Sequence, residues 1–360
     1  MFFFICCNKN TITRSHDGLA VLGEFQSSWI RNFNPLNPSS LSRWATSSGI
    51  YESLFIYNSL DQEYLPWLGL NYNWTQNNKT LQITTRSGVF WSDGQRFTAK
   101  DVSFSYNLIK KYPALDSGDL WNYLDRVDAI NDSVVEFGFK RVYVPGFHDI
   151  VNRSIVPKHI WEEVNDPVKF SNPNPVGTGP FTEILRFEKQ IFELGKNQNY
   201  WHKNKPMINK LVFNAYSGNE AATLALINGD LDWTGIFIPS IDRVFVEKNP
   251  KYHKYWFSPS GYSTYLYLNT TKDFFSKKQI RKAVSYAIDR ELMIKVGMYN
   301  YMEPAHVTGL SGHNKSWHPP DIEKKENWVL YNPELSNRLL DNAGYIKNDK
   351  GIRLSPDGTM

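Results

Sequence analysis

The sequence contains almost no cysteine. Only Cys6 and Cys7 occur in its 360 residues, and both lie in the apolar stretch at the start of the chain. From residue 8 onward the chain therefore forms no disulfide, offers no thiolate nucleophile and provides no cysteine ligand for a metal ion. This absence excludes disulfide-stabilised small domains and cysteine-dependent enzymes.

The motifs of several enzyme classes are also missing. The eight histidines include no H-E-x-x-H pair, and His313 and His318 stand five residues apart beside prolines. No G-x-S-x-G elbow occurs, and residues 177–180 (Gly-Thr-Gly-Pro) are no phosphate loop because no Lys-Ser/Thr pair follows. We therefore expect no enzyme, no cofactor and no metal site. A glycoside hydrolase is the remote alternative to a protein without catalytic activity. Such an enzyme places two carboxylates across a sugar groove, and the many tryptophans and acidic residues of the chain could supply that arrangement.

Neither sign of charge dominates the chain. The 40 Lys and Arg against 36 Asp and Glu give a net charge of +4, with no long basic run. This pattern does not suggest binding to nucleic acid or to a membrane surface. A hydrophobic share of 41% and a charged share of 21% are typical of globular proteins, and the length suits two domains or more.

Long apolar runs are absent as well, and the segment Met1–Cys7 is too short to span a membrane or to complete a signal peptide. We interpret residues 1–17 as the remnant of a signal peptide or as a disordered segment. A periplasmic or envelope-attached protein is therefore expected, with Cys6 or Cys7 as the candidate lipid-bearing residue of a lipoprotein.

Aromatic residues, by contrast, are abundant, with 12 Trp and 20 Tyr that must fill cores or line a ligand groove. The clearest local pattern contains several of them. Val89–Trp91 predicts the end of a strand, and Ser92–Gly94 predicts a tight turn. Thr98 then stands as a helix N-cap with Asp101 three residues later, so a helix should begin near Ala99.

The remaining chain alternates between predicted strands and helices. Hydrophobic periodicity predicts strands over 19–30, 80–86, 134–139, 231–234 and 259–269, with a loop over 31–38. Periodicity and capping residues predict helices over 44–57, 219–228, 278–288, from 289, and from 333 to Gly344. The helix over 219–228 should be capped by Asn219 and ended by Gly229.

The residue string around the first pattern is more specific than its periodicity. W-S-D-G-x-x-F-T-A-x-D-V-x-F-S-Y over 91–106 resembles the signature of the extracellular solute-binding proteins, family 5, of bacterial ABC importers, which carry peptides, nickel and some oligosaccharides. Five further stretches resemble this family in the same order: residues 174–181, 199–201, 226–232, 280–290 and 331–345.

The resemblance implies an α/β fold of the periplasmic binding protein type (type II, cluster C), with two lobes, an extra small domain and a missing C-terminal part. The implied domains are a large discontinuous lobe over 18–43 and 175–266, a small inserted domain over 44–174, and an incomplete second lobe over 267–360.

Two stretches look closest to the branch of the family that binds chito- and cello-oligosaccharides: W-I-R-N-F-N-P over 29–35 and W-T-G-I-F over 233–237. The resemblance implies a ligand site in the cleft between the lobes, and its expected residues are Arg31, Phe33, Asn34, Trp29 and Trp233. Arg31 could instead pair with a surface carboxylate, and Trp233 could instead be a core residue.

The implied function is that of a monomeric solute-binding component of an ABC importer, which captures β-linked oligosaccharides and delivers them to membrane permease subunits. A di- or oligopeptide-binding protein of the same family is the alternative. Neither nucleic acid nor a cofactor is expected as a partner.

Overall fold

A computed structural model describes residues 18–37, 43–256, 264–310, 317–322 and 327–358 of the chain. The predicted signal-peptide remnant, with Cys6 and Cys7, lies outside these residues. The chain divides into two compact units, Met1–Ile238 and Pro239–Met360. The domain boundaries expected from the sequence stay a prediction. Within the described ranges, no helix is long and apolar enough to cross a membrane.

The strands that the structure describes all lie in the first unit. They are β1 (Leu19–Leu22), β2 (Phe55–Asn58), β3 (Glu63–Pro66), β4 (Gly69–Thr75), β5 (Thr80–Thr85), β6 (Leu124–Ala129), β7 (Val134–Phe139), β8 (Phe181–Phe187), β9 (Ile191–Lys196), β10 (Lys210–Asn214) and β11 (Trp233–Thr234). They form a five-stranded sheet of order β11-β1-β10-β9-β8, a four-stranded sheet of order β4-β5-β7-β6, and the hairpin β2-β3.

The helices occur in both units. They are α1 (Arg43–Ala45), α2 (Ala99–Lys111), α3 (Gly146–Val151), α4 (Lys158–Trp161), α5 (Asn219–Asn228), α6 (Ile241–Val244), α7 (Asp273–Ser276), α8 (Lys278–Tyr286), α9 (Arg290–Gly297) and α10 (Pro333–Asn342). In the first unit, α2 packs on β6 and β7. In the second, α8 packs on α10, where the buried Ser336 hydroxyl donates a hydrogen bond to the Ala283 carbonyl over 2.7 Å.

The predicted turn and helix of residues 92–111 are confirmed, whereas residues 89–91 form no strand and only Phe90 pairs, in an isolated bridge with Arg96. Gly94 adopts a φ of +89° in the turn, as its lack of a Cβ allows. The Thr98 hydroxyl accepts a hydrogen bond from the Lys100 amide, and the Asp101 carboxylate accepts one from the Thr98 amide over 2.8 Å. These two bonds satisfy amide groups that a helix start leaves without partners.

Three further predicted elements differ from the structure. β1 ends at Leu22 instead of residue 30, because Gly23 begins a series of bends that leads into the loop. The helix predicted over 44–57 is reduced to α1 and a wide helical turn over Thr46–Ile50, and its last residues belong to β2. Gly218, and not Asn219, occupies the N-cap of α5.

The strand predicted over 259–269 also differs where it can be compared. Residues 257–263 lie outside the described residues, and 264–269 form no strand. A strand needs a hydrogen-bonded neighbour, and none of the described segments pairs with these residues. Alternating aromatic residues were therefore an insufficient signal.

A close backbone crossing joins the two sheets of the first unit. The Gly179 amide donates to the Ile50 carbonyl over 2.9 Å, and the Ser92 amide donates to the Gly177 carbonyl over 2.9 Å. A Cβ on Gly177 would lie 2.0 Å from the Ile50 carbonyl oxygen. The Asn199 amide group donates to the Ser92 carbonyl over 3.1 Å. Three of the strings that resemble the solute-binding family therefore meet at this crossing.

A buried carboxylate lies next to the crossing. The Glu52 side chain accepts hydrogen bonds from the Trp67 indole (2.6 Å), the Tyr200 hydroxyl (3.0 Å) and the Trp201 indole (3.0 Å). The Arg86 guanidinium lies over the Trp201 ring, 4.4 Å from its centroid. Burial raises the pKa of the Glu52 carboxyl, while these donors act in the opposite direction.

Candidate functional site

The carboxyl ends of three strands meet at one edge of the five-stranded sheet. β1 runs parallel to both β10 and β11, so the residues after Leu22, Asn214 and Thr234 lie along the same edge. β9 is antiparallel to β10, with Ile191 opposite Asn214, which places the β8-β9 turn at this edge too. Ligands of open α/β sheets bind outside the carboxyl ends of parallel strands. We call this border of the sheet the carboxyl edge.

The loop that follows β1 runs along the carboxyl edge. The Gln26 amide donates to the Tyr216 carbonyl, just beyond β10, over 2.9 Å. The Trp29 amide then donates to the Lys189 carbonyl, in the β8-β9 turn, over 2.7 Å. The loop therefore passes from β1 across β10 to the β8 side of the sheet, and it carries four of the five ligand-binding residues predicted from the sequence.

Two tryptophans stack at the β11 end of the carboxyl edge. The ring centroids of Trp44 and Trp233 lie 5.8 Å apart, and their planes are inclined by 22°. Gly23 permits this position of Trp44, because a Cβ there would lie 2.8 Å from the ring. Trp233 keeps 46% of its surface exposed. Trp44 thus supports one side of Trp233, while a broad part of the Trp233 ring stays open to solvent.

A narrow pocket lies behind the stacked rings. It is lined by Trp29, Trp44, Phe192, Phe213 and the backbone around Gly23. Its volume of about 10 Å³ is close to the space that a single water molecule needs. This pocket is therefore too small for a ligand larger than water.

A row of aromatic side chains crosses the sheet from β8 to β11. Phe187, Phe192 and Phe213 stand opposite each other on β8, β9 and β10, with centroids 5.5 Å and 4.5 Å apart in that order. Phe213 meets Trp44 at 5.9 Å, and Trp44 stacks on Trp233. We call these five residues the aromatic row. Its middle members are buried, and its Trp233 end reaches the surface.

Arg31 lies at the other end of the aromatic row. Its guanidinium carbon is 5.8 Å from the Phe187 centroid. Its Nε donates to the Pro173 carbonyl over 2.9 Å, and its Nη2 donates to the Asn174 side-chain oxygen over 2.8 Å. These bonds use two of the five N–H groups of the guanidinium. The residue is exposed, and no described hydrogen bond uses the other three donors.

Phe33 and Asn34 are fully buried. The Phe33 ring packs edge-on against Phe187 and Phe192, with centroids 5.8 and 5.9 Å apart. The Asn34 amide group bonds only to the backbone, donating to the carbonyls of residues 167 and 170 and accepting from the amides of residues 36 and 37. Both side chains hold the loop in place.

Trp29 is mostly buried and packs edge-on against Phe192, with centroids 4.9 Å apart. The structure therefore groups Trp29, Arg31, Phe33 and Asn34 near β8 and β9. It places Trp233 on β11, the strand farthest from β8 in this sheet.

Sequence reasoning missed Trp44. The helix predicted over 44–57 gave this residue no special position, and only the structure shows that its ring supports Trp233. Nothing in the local pattern marks the contact, because the two residues are far apart in the chain. Within the described residues, no three His, Cys, Asp or Glu side chains are grouped as ligands for a metal ion.

Comparison with known proteins shows the family. The sequence pattern of the bacterial extracellular solute-binding proteins, family 5 (middle segment), matches residues 63–359. The chain belongs to this family. The family predicted from the sequence strings is thereby confirmed, and so is the α/β fold of the periplasmic binding protein type.

Two curated relatives are similar over most of the chain. The nickel-binding periplasmic protein of Escherichia coli (strain K12) is 26% identical over 92% of this chain and 63% of its own length. The glutathione-binding protein GsiB of Salmonella typhi is 24% identical over 87% of this chain and 60% of its own length. The chain thus spans less than two thirds of either relative.

A solved structure is similar over nearly the whole chain. The periplasmic oligopeptide-binding protein of an oligopeptide ABC transporter from Thermotoga maritima is 28% identical, with a TM-score of 0.83, and covers 96% of this chain and 66% of its own. A second structure of that protein, with mannohexaose bound, has a TM-score of 0.81 over 97% of this chain and 66% of its own.

Proposed function

We propose that this chain is the solute-binding component of an ABC importer, located in the periplasm or at the cell envelope, which delivers its ligand to membrane permease subunits. Family membership supports this proposal. The nickel-binding relative is a periplasmic protein, and the Thermotoga maritima relative belongs to an ABC transporter. A binding protein of this kind holds its ligand and breaks no bond.

The proposed ligand is a β-linked oligosaccharide, and the stack of Trp44 and Trp233 is the observation that carries this choice. A pyranose ring has an apolar face of C–H groups that lies flat on an aromatic ring, while its hydroxyls point outward to polar groups. Trp233 offers such a flat surface in a fixed orientation, because Trp44 supports it from the other side.

The other predicted residues have different roles in this proposal. Arg31 donates hydrogen bonds to ligand hydroxyl or acetamido oxygens from its unused N–H groups. Phe33 and Asn34 act indirectly, since their buried contacts fix the loop that presents Arg31. Trp29 lines the pocket behind Trp44 and so supports the same stack.

An oligopeptide is the second candidate ligand. The observation in its favour is the Thermotoga maritima relative, whose name is that of an oligopeptide-binding protein although one of its structures holds mannohexaose. A peptide would bind through its backbone and its charged ends, and it would depend less on a flat aromatic surface than a sugar does.

Isothermal titration calorimetry on the whole chain tests these candidates. Cellohexaose, mannohexaose and chitohexaose would be compared with a tripeptide, with glutathione and with Ni²⁺. We expect at least one sugar to bind, Trp233→Ala to weaken its binding strongly, and Trp233→Phe to weaken it less, because a smaller flat ring remains. Binding of a peptide that Trp233→Ala leaves unchanged would contradict the proposed ligand. Release of shorter sugars during the titration would indicate a hydrolase.

A further inference from the structure

The exposed residues Trp233 and Arg31, at the two ends of the aromatic row, are separated by the width of the sheet. Trp233 belongs to β11 at one edge, and Arg31 lies against Phe187 at the end of β8 at the other. Four strand-to-strand steps separate β11 from β8. With about 4.8 Å per step, the two ends are roughly 19 Å apart.

The loop along the carboxyl edge exposes apolar side chains between these ends. Phe25 is 40% exposed and Ile30 is 56% exposed. Phe25 stands just before the loop contact with Tyr216, beyond β10, and Ile30 just after the contact with Lys189, at the β8-β9 turn. An extended surface thus joins Trp233 to Arg31, with apolar contacts along it and hydrogen-bond donors at its far end.

We infer that this surface selects oligosaccharides by length, with Trp233 holding one end of the ligand and Arg31 contacting a unit about four rings away. The inference rests on the proposed function and adds a substrate class to it. One unit of an extended β-1,4-linked chain is about 5 Å long, close to the spacing of about 4.8 Å between neighbouring strands, so a ligand of about five units reaches both ends. A disaccharide reaches only one of them.

The charge of Arg31 fits a contact to oxygen atoms at the end of such a ligand. Its two described hydrogen bonds go to a backbone carbonyl and to an amide oxygen. These neutral partners leave the positive charge unneutralised and orient the guanidinium. Three N–H groups remain available, enough for two adjacent hydroxyl oxygens of one sugar unit.

Titration calorimetry with cello-oligosaccharides of two to six units tests the inference. The wild-type chain should bind the six-unit sugar more tightly than the two-unit sugar. Arg31→Ala should weaken binding of the six-unit sugar by roughly tenfold to a hundredfold, the loss of hydrogen bonds to a charged donor. The same substitution should leave the affinity for the two-unit sugar nearly unchanged. Trp233→Ala should weaken binding at every length.

Arg186→Ala is the matched control. Like Arg31, Arg186 is exposed, but it belongs to β8, precedes Phe187 and pairs with Glu188, so it lies on the other face of the sheet. Its replacement should not change the length dependence. Melting temperatures of the unliganded variants would show that each one folds.

The possible outcomes separate this inference from the proposed function. If the wild-type chain binds sugars through Trp233 but with equal affinity at all lengths, the length inference is wrong and the proposed function stands. The length inference is also wrong, and the proposed function also stands, if Arg31→Ala weakens the binding of the two-unit and six-unit sugars equally. If no oligosaccharide binds at all, both are overturned.

Discussion

Asn34 shows how a polar residue in a candidate binding loop serves the fold. We expect Asn34→Ala to lower the free energy of unfolding by roughly 2–4 kcal/mol, because it leaves two carbonyls and two amides of the backbone without their buried partner. Urea unfolding followed by circular dichroism measures the change. Arg31→Ala, in the same loop but exposed, should change stability by less than about 0.5 kcal/mol. Equal losses in both variants would contradict this distinction.

Glu52 should make stability depend on pH. Burial raises the pKa of its carboxyl above the ordinary value of 4.5, so the folded chain binds a proton there more tightly than the unfolded chain does. The stability from this group is therefore full at low pH and declines as pH rises through the folded-state pKa.

Glu52→Gln removes the titration and keeps the shape of the side chain. The free energy of unfolding of the wild type, minus that of the variant, should fall as pH rises from about 4.5 toward neutrality. Urea titrations at several pH values measure this difference, and the exposed Glu183→Gln serves as the control. A difference that grows with pH would mean that the three donors outweigh burial.

At the scale of elements, the start of α2 offers a clean test. Thr98→Ala should cost about 1 kcal/mol of stability, since the Thr98 hydroxyl satisfies the Lys100 amide. Thr98→Ser keeps that oxygen and should cost much less. Thermal unfolding of the two variants compares them directly, and an equal loss in both would point to the Thr98 methyl group instead of the cap.

This helix also shows which elements could be predicted from the sequence. The turn, the cap and the helix of residues 92–111 depend on residues only a few positions apart, so the local sequence was sufficient to predict them. The segment 264–269 depends on a pairing partner, and its own alternation could not supply one. The helix predicted over 44–57 failed for a related reason, because pairing of β2 with β3 outweighs its helical pattern.

The candidate site was less predictable than the fold. Trp233 is exposed and Arg31 lies at the surface, as a ligand contact requires, but Phe33 and Asn34 face inward. A loop has no period that tells an inward from an outward side chain. The strings that resemble the family are informative about the fold, since several of them meet at the backbone crossing of Gly177.

At the scale of the whole first unit, the crossing at Gly177 should control cooperative folding. Gly177→Ala would place a methyl group 2.0 Å from the Ile50 carbonyl oxygen, a backbone atom that also accepts a hydrogen bond from the Gly179 amide. We expect a loss of roughly 4 kcal/mol or more, or failure to fold, in urea unfolding experiments.

Gly218→Ala is the matched control for this change. No atom lies within 4 Å of the Cβ that it adds, so its cost should stay below about 1 kcal/mol. If Gly177→Ala were tolerated as well as Gly218→Ala, the segment around Ile50 would be free to shift, and the two sheets would not be fixed to each other by this crossing.

The stack of Trp44 and Trp233 also has an optical consequence. Two indole rings held this close couple their ultraviolet transitions, and a skew between the two transition dipoles gives a paired positive and negative band in circular dichroism. Subtracting the spectrum of Trp233→Phe isolates that signal from the other tryptophans. Binding of a ligand at the open part of Trp233, as proposed, would change the surroundings of one member of the pair and would be detected without an added dye.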